Sequence, residues 1–296
     1  MGTQAGGQAG GINEALLRSW IGRTTEAADI VTPRLRDEFL ATFAPHVSPH
    51  VGPAGDAAPL GIHWCLSPAV APADGLGGDG HPAKGGFLPP VPLPRRMWAG
   101  GEVELRGPLR VGDTVVRRSR IEEVSVKAGR TGTLCFVAVR HEYDGGRGVA
   151  VSERHDIVYR EAAAPGAAPA PALAERAPSD LSWAVRADPV LLFRYSAMTF
   201  NGHRIHYDLP YATGTEGYAG LVVHGPVQAT LLLHMAARLG RGAPARFSYR
   251  GQSPLTAGQV FAVRGAAGAD GALSCWTEDE AGRVCMRASA PAPGAA

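Results

Sequence analysis

The chain has 296 residues, and its 29 Lys and Arg against 27 Asp and Glu give a formal charge of +2. So even a balance leaves no basic face for a nucleic-acid partner, and no uncharged apolar run approaches the length of a membrane span. Gly and Pro are plentiful at 39 and 24, yet 45% hydrophobic residues suffice for a sizeable core, so a folded protein with long loops is expected.

The N-terminal MGTQAGGQAGGINEALLRSW lacks the basic-then-apolar order of a secretory signal, and residues 1–11 read as a loose tail. Cys65, Cys135, Cys275 and Cys285 are scattered without a CxxC pair. That spacing predicts free thiols in a reducing cytoplasm rather than a disulfide framework or a zinc site.

TPRLRDEFLATF, Thr32 to Phe43, reads as a short charged helix, and 71–86, APADGLGGDGHPAKGG, as a long surface loop. Its GLGGDG matches the dinucleotide fingerprint in form only, because neither a strand precedes it nor a helix follows. Strands are expected over Val115–Val126, Thr133–Tyr143 and Gly148–Arg160, separated by Gly-containing turns. EAAAPGAAPAPALAERAPSD, 161–180, is a linker by composition. Beyond it, Gly220 to Gly240 is the strongest helix, apolar nearly all round and so expected to be buried on all sides. Phe261–Gly265, Leu273–Glu278 and Val284–Ser289 read as a second meander, followed by a loose tail at 288–296.

The halves carry a faint repeat. Pro-Leu-x-x-Gly followed by an apolar run occurs at Pro108–Gly112 and again at Pro254–Gly258, each ahead of its meander. A helix wrapped by an antiparallel sheet, twice over, predicts an α+β double hotdog: two antiparallel sheets, each around a helix. The expected division is an N-terminal hotdog over 12–160, with Thr32–Phe43 as its helix, the linker 161–180, and a C-terminal hotdog over 181–290.

Polar and aromatic residues crowd into FRYSAMTFNGHRIHYDLPYA, Phe193 to Ala212. His203 and His206 suit proton exchange near neutrality, or are satisfied loop histidines. Asn201 fits an Asx turn, Asp208 a helix cap, and Tyr207, Tyr211 and Tyr218 packing positions with a hydrogen-bonded hydroxyl. A metal set of His203, His206 and Asp208 would need a further ligand that the sequence does not supply. No P-loop and no nucleophile elbow is present.

FNGHRIHYD resembles the hydratase motif of the MaoC-like (R)-specific enoyl-CoA hydratases, with Asn201 where that family has Asp and His206 at its His position. VHGP, Val223 to Pro226, is similar to the family's His-Gly start of the central helix. PPVPLPRRMWAGG, PLRVGDTVVRRSRI and HDIVYRE resemble the N-terminal, dehydratase-like domain of the subgroup that holds mesaconyl-C4-CoA and itaconyl-CoA hydratases and the type 2 3-hydroxyacyl-thioester dehydratases. The similarity spans about residues 15–160 and 185–290 in family order.

The resemblance implies a hydro-lyase that hydrates an α,β-unsaturated acyl-CoA thioester, with a short branched dicarboxylic acyl group first among substrates. Its C-terminal half would be catalytic and its N-terminal half would complete the acyl pocket. A dehydratase of lipid or polyketide metabolism, a hotdog thioesterase and a non-catalytic acyl-CoA-binding protein are the alternatives. His206 is the expected proton carrier and the Gly225 N–H the expected oxyanion donor, or an ordinary helix cap. Asn201 orients water or merely holds a turn, since an amide exchanges no proton near pH 7. Arg204 binds a substrate carboxylate, a CoA phosphate or solvent; Arg96 is open in the same way, and Trp98 and Tyr207 are candidate acyl contacts. No metal or redox cofactor is implied. Exposed sheet edges favour a homodimer unless loops cover them.

Overall fold

The computed structural model describes residues 12–47, 56–129, 132–161 and 177–294. Most of the expected linker and the N-terminal tail therefore lie outside the described residues. After a short helix α1 (Glu14–Arg18), the first half contains β1 (Thr24–Ile30), α2 (Pro33–Phe43), β2 (Arg95–Leu105), β3 (Thr114–Gly129), β4 (Gly132–Asp144) and β5 (Val149–Arg160). The second half follows the same order with β6 (Leu181–Ala187), α3 (Pro189–Met198), α4 (Gly225–Leu239), β7 (Arg246–Gly251), β8 (Gln259–Ala267), β9 (Leu273–Glu278) and β10 (Val284–Ala290). The predicted tail thus starts later than 288, because β10 runs to Ala290.

The two expected sheets are one. Ten strands run in the order β1-β3-β4-β5-β2-β7-β10-β9-β8-β6. The halves join where β2 pairs antiparallel with β7, from Gly100 opposite Arg250 to Glu104 opposite Arg246. Glycine makes that approach possible: a Cβ on Gly100 would stand 2.6 Å from the Tyr249 carbonyl oxygen. The open edges of the sheet are β1 and β6.

The repeat is exact at the level of hydrogen bonds. Gly112 and Gly258 both take left-handed φ, +95° and +96°, which glycine adopts without steric cost. The Gly112 N–H donates to Val31 and the Gly258 N–H to Ala187, each the residue before a helix cap. Those caps, Thr32 and Asp188, accept from Leu35 N–H and Leu191 N–H ahead of Pro33 and Pro189. Ala57 bridges Arg110 just as Val222 bridges Thr256.

This correspondence corrects the helix expected at Thr32–Phe43. It forms, but its partner in order is α3, against which it packs, and not the central helix. Counting from Ala57 and Val222, the first-half counterpart of α4 is the single 3-10 turn Ile62–Cys65. Among the described residues, only the second half wraps a long helix. There α4 is buried without interruption from Val227 to Ala237 against β7, β8, β9 and β10. Each such leucine contributes about 1.5–3 kcal/mol relative to an exposed one.

Candidate active site

The site grows from the turn that follows α3. Phe200 takes a positive φ, +47°, and the Asn201 Oδ1 accepts from the His203 N–H at 3.0 Å, which sets up the 3-10 turn Arg204–His206. His206 is 7% exposed. Its Nδ1 lies 2.7 Å from the Val222 carbonyl oxygen; a carbonyl only accepts, so Nδ1 carries the proton and Nε2 keeps its lone pair. The ring stacks on His224 at 3.5 Å and meets His203 edge-on at 5.4 Å. Burial, then the neighbouring His224 and His203, hold His206 well below the usual histidine range, so it is neutral at pH 7.

His224 was given no role by the sequence reading. It caps α4, its Nε2 is 2.9 Å from the Ser196 hydroxyl, and burial lowers its pKa to about 3. Gly225 follows as the first helical residue, one place further in than the expected cap. Its N–H belongs to the first helical turn, where donors lack an intrahelical acceptor and the dipole favours negative charge. A Cβ there would lie 2.3 Å from Cε3 of Trp98, so Trp98 walls the glycine directly. Trp98 in turn stacks on Tyr249 at 4.4 Å, so it both packs and lines the site.

The remaining predicted residues divide. Arg204 is not placed to bind a substrate carboxylate: Nε and Nη2 both donate to Asp208 Oδ2, at 2.9 and 2.7 Å, Nη1 donates to the Gly78 carbonyl, and the guanidinium lies over Tyr211. Asp208 Oδ1 caps the Tyr211 N–H as expected. With Asp208 so engaged, the metal set His203, His206, Asp208 is not assembled. Tyr207 is 57% exposed, its hydroxyl donating to Gly202. Arg96 is largely buried, with Nη2 3.7 Å from Asp79 Oδ2.

The segment expected to be a surface loop is instead docked on the site. Arg204 N–H donates to the Asp79 carbonyl oxygen at 2.9 Å, and the His81 ring lies 4.1 Å from that of His203. Gly80 has φ +85° and approaches so closely that a Cβ would be 2.0 Å from the Gly202 carbonyl oxygen. The Gly-rich run thus serves backbone approach, though not to a phosphate. His203 Nε2 also faces Glu216 at 3.5 Å, and Glu216 pairs with Arg95 at the same distance. Asp79, His81 and His203 offer donor atoms within 4.8 Å of one another, but the Arg96 guanidinium already faces that acid. None of Asp79, His81 and Glu216 carried a sequence signal beyond its residue type, because the loop and turn that deliver them are non-local.

Comparison with known proteins bears on the family and the fold. The profile of the hydroxyacyl-thioester dehydratase type 2 family matches residues 61–257. The chain is 42% identical over 238 residues to the mesaconyl-C(4)-CoA hydratase of Chloroflexus aurantiacus, covering 80% of this chain and 84% of that protein. It is 28% identical over 199 residues to the mitochondrial hydroxyacyl-thioester dehydratase type 2 of Schizosaccharomyces pombe, covering 58% and 65%. In fold it is similar to HtdX of Mycobacterium tuberculosis (TM-score 0.62, 19% identity, 91% of this chain and 100% of that one). A MaoC-like dehydratase from Phytophthora capsici is similar too (TM-score 0.64, 17% identity, 96% and 100%), as is a double-hotdog protein of M. tuberculosis (TM-score 0.51, 14% identity, 91% and 95%). The double hotdog is therefore the fold, and with two thirds of its length matched by one profile the chain belongs to the hydroxyacyl-thioester dehydratase type 2 family.

Proposed function

We propose that the protein reversibly hydrates an α,β-unsaturated acyl-CoA, with a short branched dicarboxylic enoyl-CoA as its substrate. The observation that carries this is the neutral, buried His206, its tautomer fixed by Val222, stacked on the residue that caps α4 and precedes Gly225. The thioester carbonyl accepts from the Gly225 N–H. His206 Nε2 takes a proton from water as the oxygen bonds to C3, and the C2–C3 π electrons move toward the carbonyl. The enolate charge collects at the helix N-terminus, where one such donor is worth about 3 kcal/mol. The imidazolium then returns the proton to C2, so that H and OH are added in full. Dehydration is the same path reversed.

Asn201 holds the turn, and its carbonyl is engaged by the His203 N–H. In this reading its Nδ2 donates to the water, while His206 alone carries the proton. Arg204 locks the loop against the site through Gly78, and so positions rather than binds. The choice of a dicarboxylic acyl group is supported by the Chloroflexus relative, and the dehydration direction by the fission-yeast one.

The test is loss of the conjugated-thioester absorbance with crotonyl-, mesaconyl- and itaconyl-CoA. Turnover that His206→Ala removes supports the reading. Release of free CoA thiol instead would make the protein a thioesterase. Four buried free cysteines are in keeping with a cytoplasmic setting, no helix among the described residues is long and apolar enough to cross a membrane, and the open edges β1 and β6 favour a homodimer, which light scattering would test.

A further inference from the structure

Replacing the central helix by one turn leaves a polar patch on the inner face of the first-half sheet. Arg117 and Ser119 on β3, His141 and Tyr143 on β4, and Glu153 and His155 on β5 alternate to the same side. The corresponding face of the second half is covered by the apolar α4. His63, in the 3-10 turn, closes over the patch with its ring 5.2 Å from Tyr143. Ser119 and His141 satisfy each other at 2.7 Å.

The rest of the patch is not internally satisfied. Arg117 Nε, His155 Nε2 and His63 Nε2 are buried without a hydrogen-bond partner among the described residues. Buried polar atoms are normally partnered, and Arg117 Nε can only donate, so this cluster calls for a polar ligand that accepts from the guanidinium. Burial lowers both His63 and His155 to a pKa of about 3, leaving Arg117 as the charge-bearing donor beside neutral imidazoles. Arg117 lies within electrostatic reach of Glu153 and of the Tyr143 hydroxyl, but the hydrogen bonds of Glu153 go elsewhere. Its Oε1 accepts from Trp64 Nε1 at 2.9 Å and Tyr249 OH at 2.8 Å, and burial pushes its carboxyl up. Arg96, on the other side of His155, is turned to Asp79.

The patch also borders the reaction site. The His155 ring is 5.8 Å from Trp98, the same indole that touches Gly225. The Trp98 indole therefore lies between the oxyanion donor proposed above and His155.

We infer that Arg117 and His155 form a subsite for the free carboxylate of a dicarboxylic acyl group, so that the helix-deficient half sets substrate choice for the half that does the chemistry. In this proposal the guanidinium fork donates to the planar carboxylate, and His155, taken as its Nε2–H tautomer, adds a third donor. The inference rests on the hydratase reading above, but adds an anion site that crotonyl-CoA does not need.

The experiment compares kcat/KM for mesaconyl-CoA and crotonyl-CoA in the native protein, Arg117→Met, Arg117→Lys and His155→Gln. Alongside it, inhibition of crotonyl-CoA turnover by succinyl-CoA is compared with that by butyryl-CoA. The expected result is a mesaconyl-to-crotonyl ratio lowered about 10- to 150-fold by Arg117→Met, less by Arg117→Lys and His155→Gln, with the native preference for succinyl-CoA as inhibitor lost in step. Equal losses on both substrates, or an unchanged ratio in a variant with a native melting curve, would overturn it. If Arg117→Met does not fold, the Arg117→Lys and His155→Gln ratios decide. A native protein that hydrates crotonyl-CoA but not mesaconyl-CoA would sink the subsite and leave the hydratase standing. Hydration of neither would remove both.

Discussion

The two halves share their strands, caps and left-handed glycines, and differ in what lies against the sheet. In the second half α4 fills the inner face with Leu231, Leu232, Leu233 and Met235, none more than 1% exposed. In the first half the same starting point, after the bridge at Ala57, yields one 3-10 turn, and the face is left to Trp64, His63 and the polar row from Arg117 to His155. Both halves satisfy their backbone groups through the same ladder of hydrogen bonds, whereas the side chains on the inner face differ. The half with the long helix has the helix N-terminus, and with it the proposed oxyanion donor. The half that lost the helix gained interior polar surface.

Substitutions can break or sharpen that contrast. The largest effect is expected from His206→Ala, a fall in kcat of about 1,000-fold, read from enoyl-thioester absorbance on protein that remains folded. No histidine of the first half should match it; a loss as large from His141→Ala with the fold intact would mean the halves share the proton chemistry. Next comes Leu232→Ala in the fully packed α4, which should cost about 3 kcal/mol of unfolding free energy in denaturant titrations. A cost near zero would show that α4 is not the centre of its core.

Acidification tests both halves together. His63, His155 and His224 are lowered to about 3 and His81 and His234 to about 4, chiefly by burial. Below the unfolded value near 6.5, the unfolded chain binds protons that the folded chain refuses. Stability is therefore greatest above pH 6.5 and falls as pH drops toward 4, by up to about 1.4 kcal/mol per unit for each such histidine. Melting temperatures measured from pH 7 to 5 should decline, and His234→Gln, remote from the chemistry, should lessen the slope. The smallest effect is expected from Arg34→Ala on α2. Its ion pair with Glu38 is at the surface, with 77% and 45% of the two side chains exposed, so about 0.5 kcal/mol or less is at stake.

Much of this was legible beforehand where the signal was local. The all-round apolar run at Gly220–Gly240 became α4, the two meanders became β3–β5 and β8–β10, and Pro-Leu-x-x-Gly marked equivalent turns because each needs a glycine at positive φ. The resemblance singled out His206 and Gly225, which the fold brings together through His224, stacked on the one and preceding the other. What escaped was non-local. Thr32–Phe43 looked like the missing central helix because periodicity shows that a helix forms and not which sheet face receives it. Arg204 looked free because its partner carbonyl, Gly78, comes from 126 residues away. The polar row on β3, β4 and β5 escaped since alternation in each strand reads as a solvated face unless the strands' common neighbour is known.

The seam between β2 and β7 has a bearing on how the protein meets dilution. The inner edge of the second half is closed by a sibling on the same chain, so the association that completes the sheet is a unimolecular event. The proposed reaction site then shares a chain with its neighbouring wall, Trp98, which arrives in fixed stoichiometry with it. Activity per chain is accordingly set by folding rather than by a monomer–dimer equilibrium across β2 and β7, and should not fade as the protein is diluted.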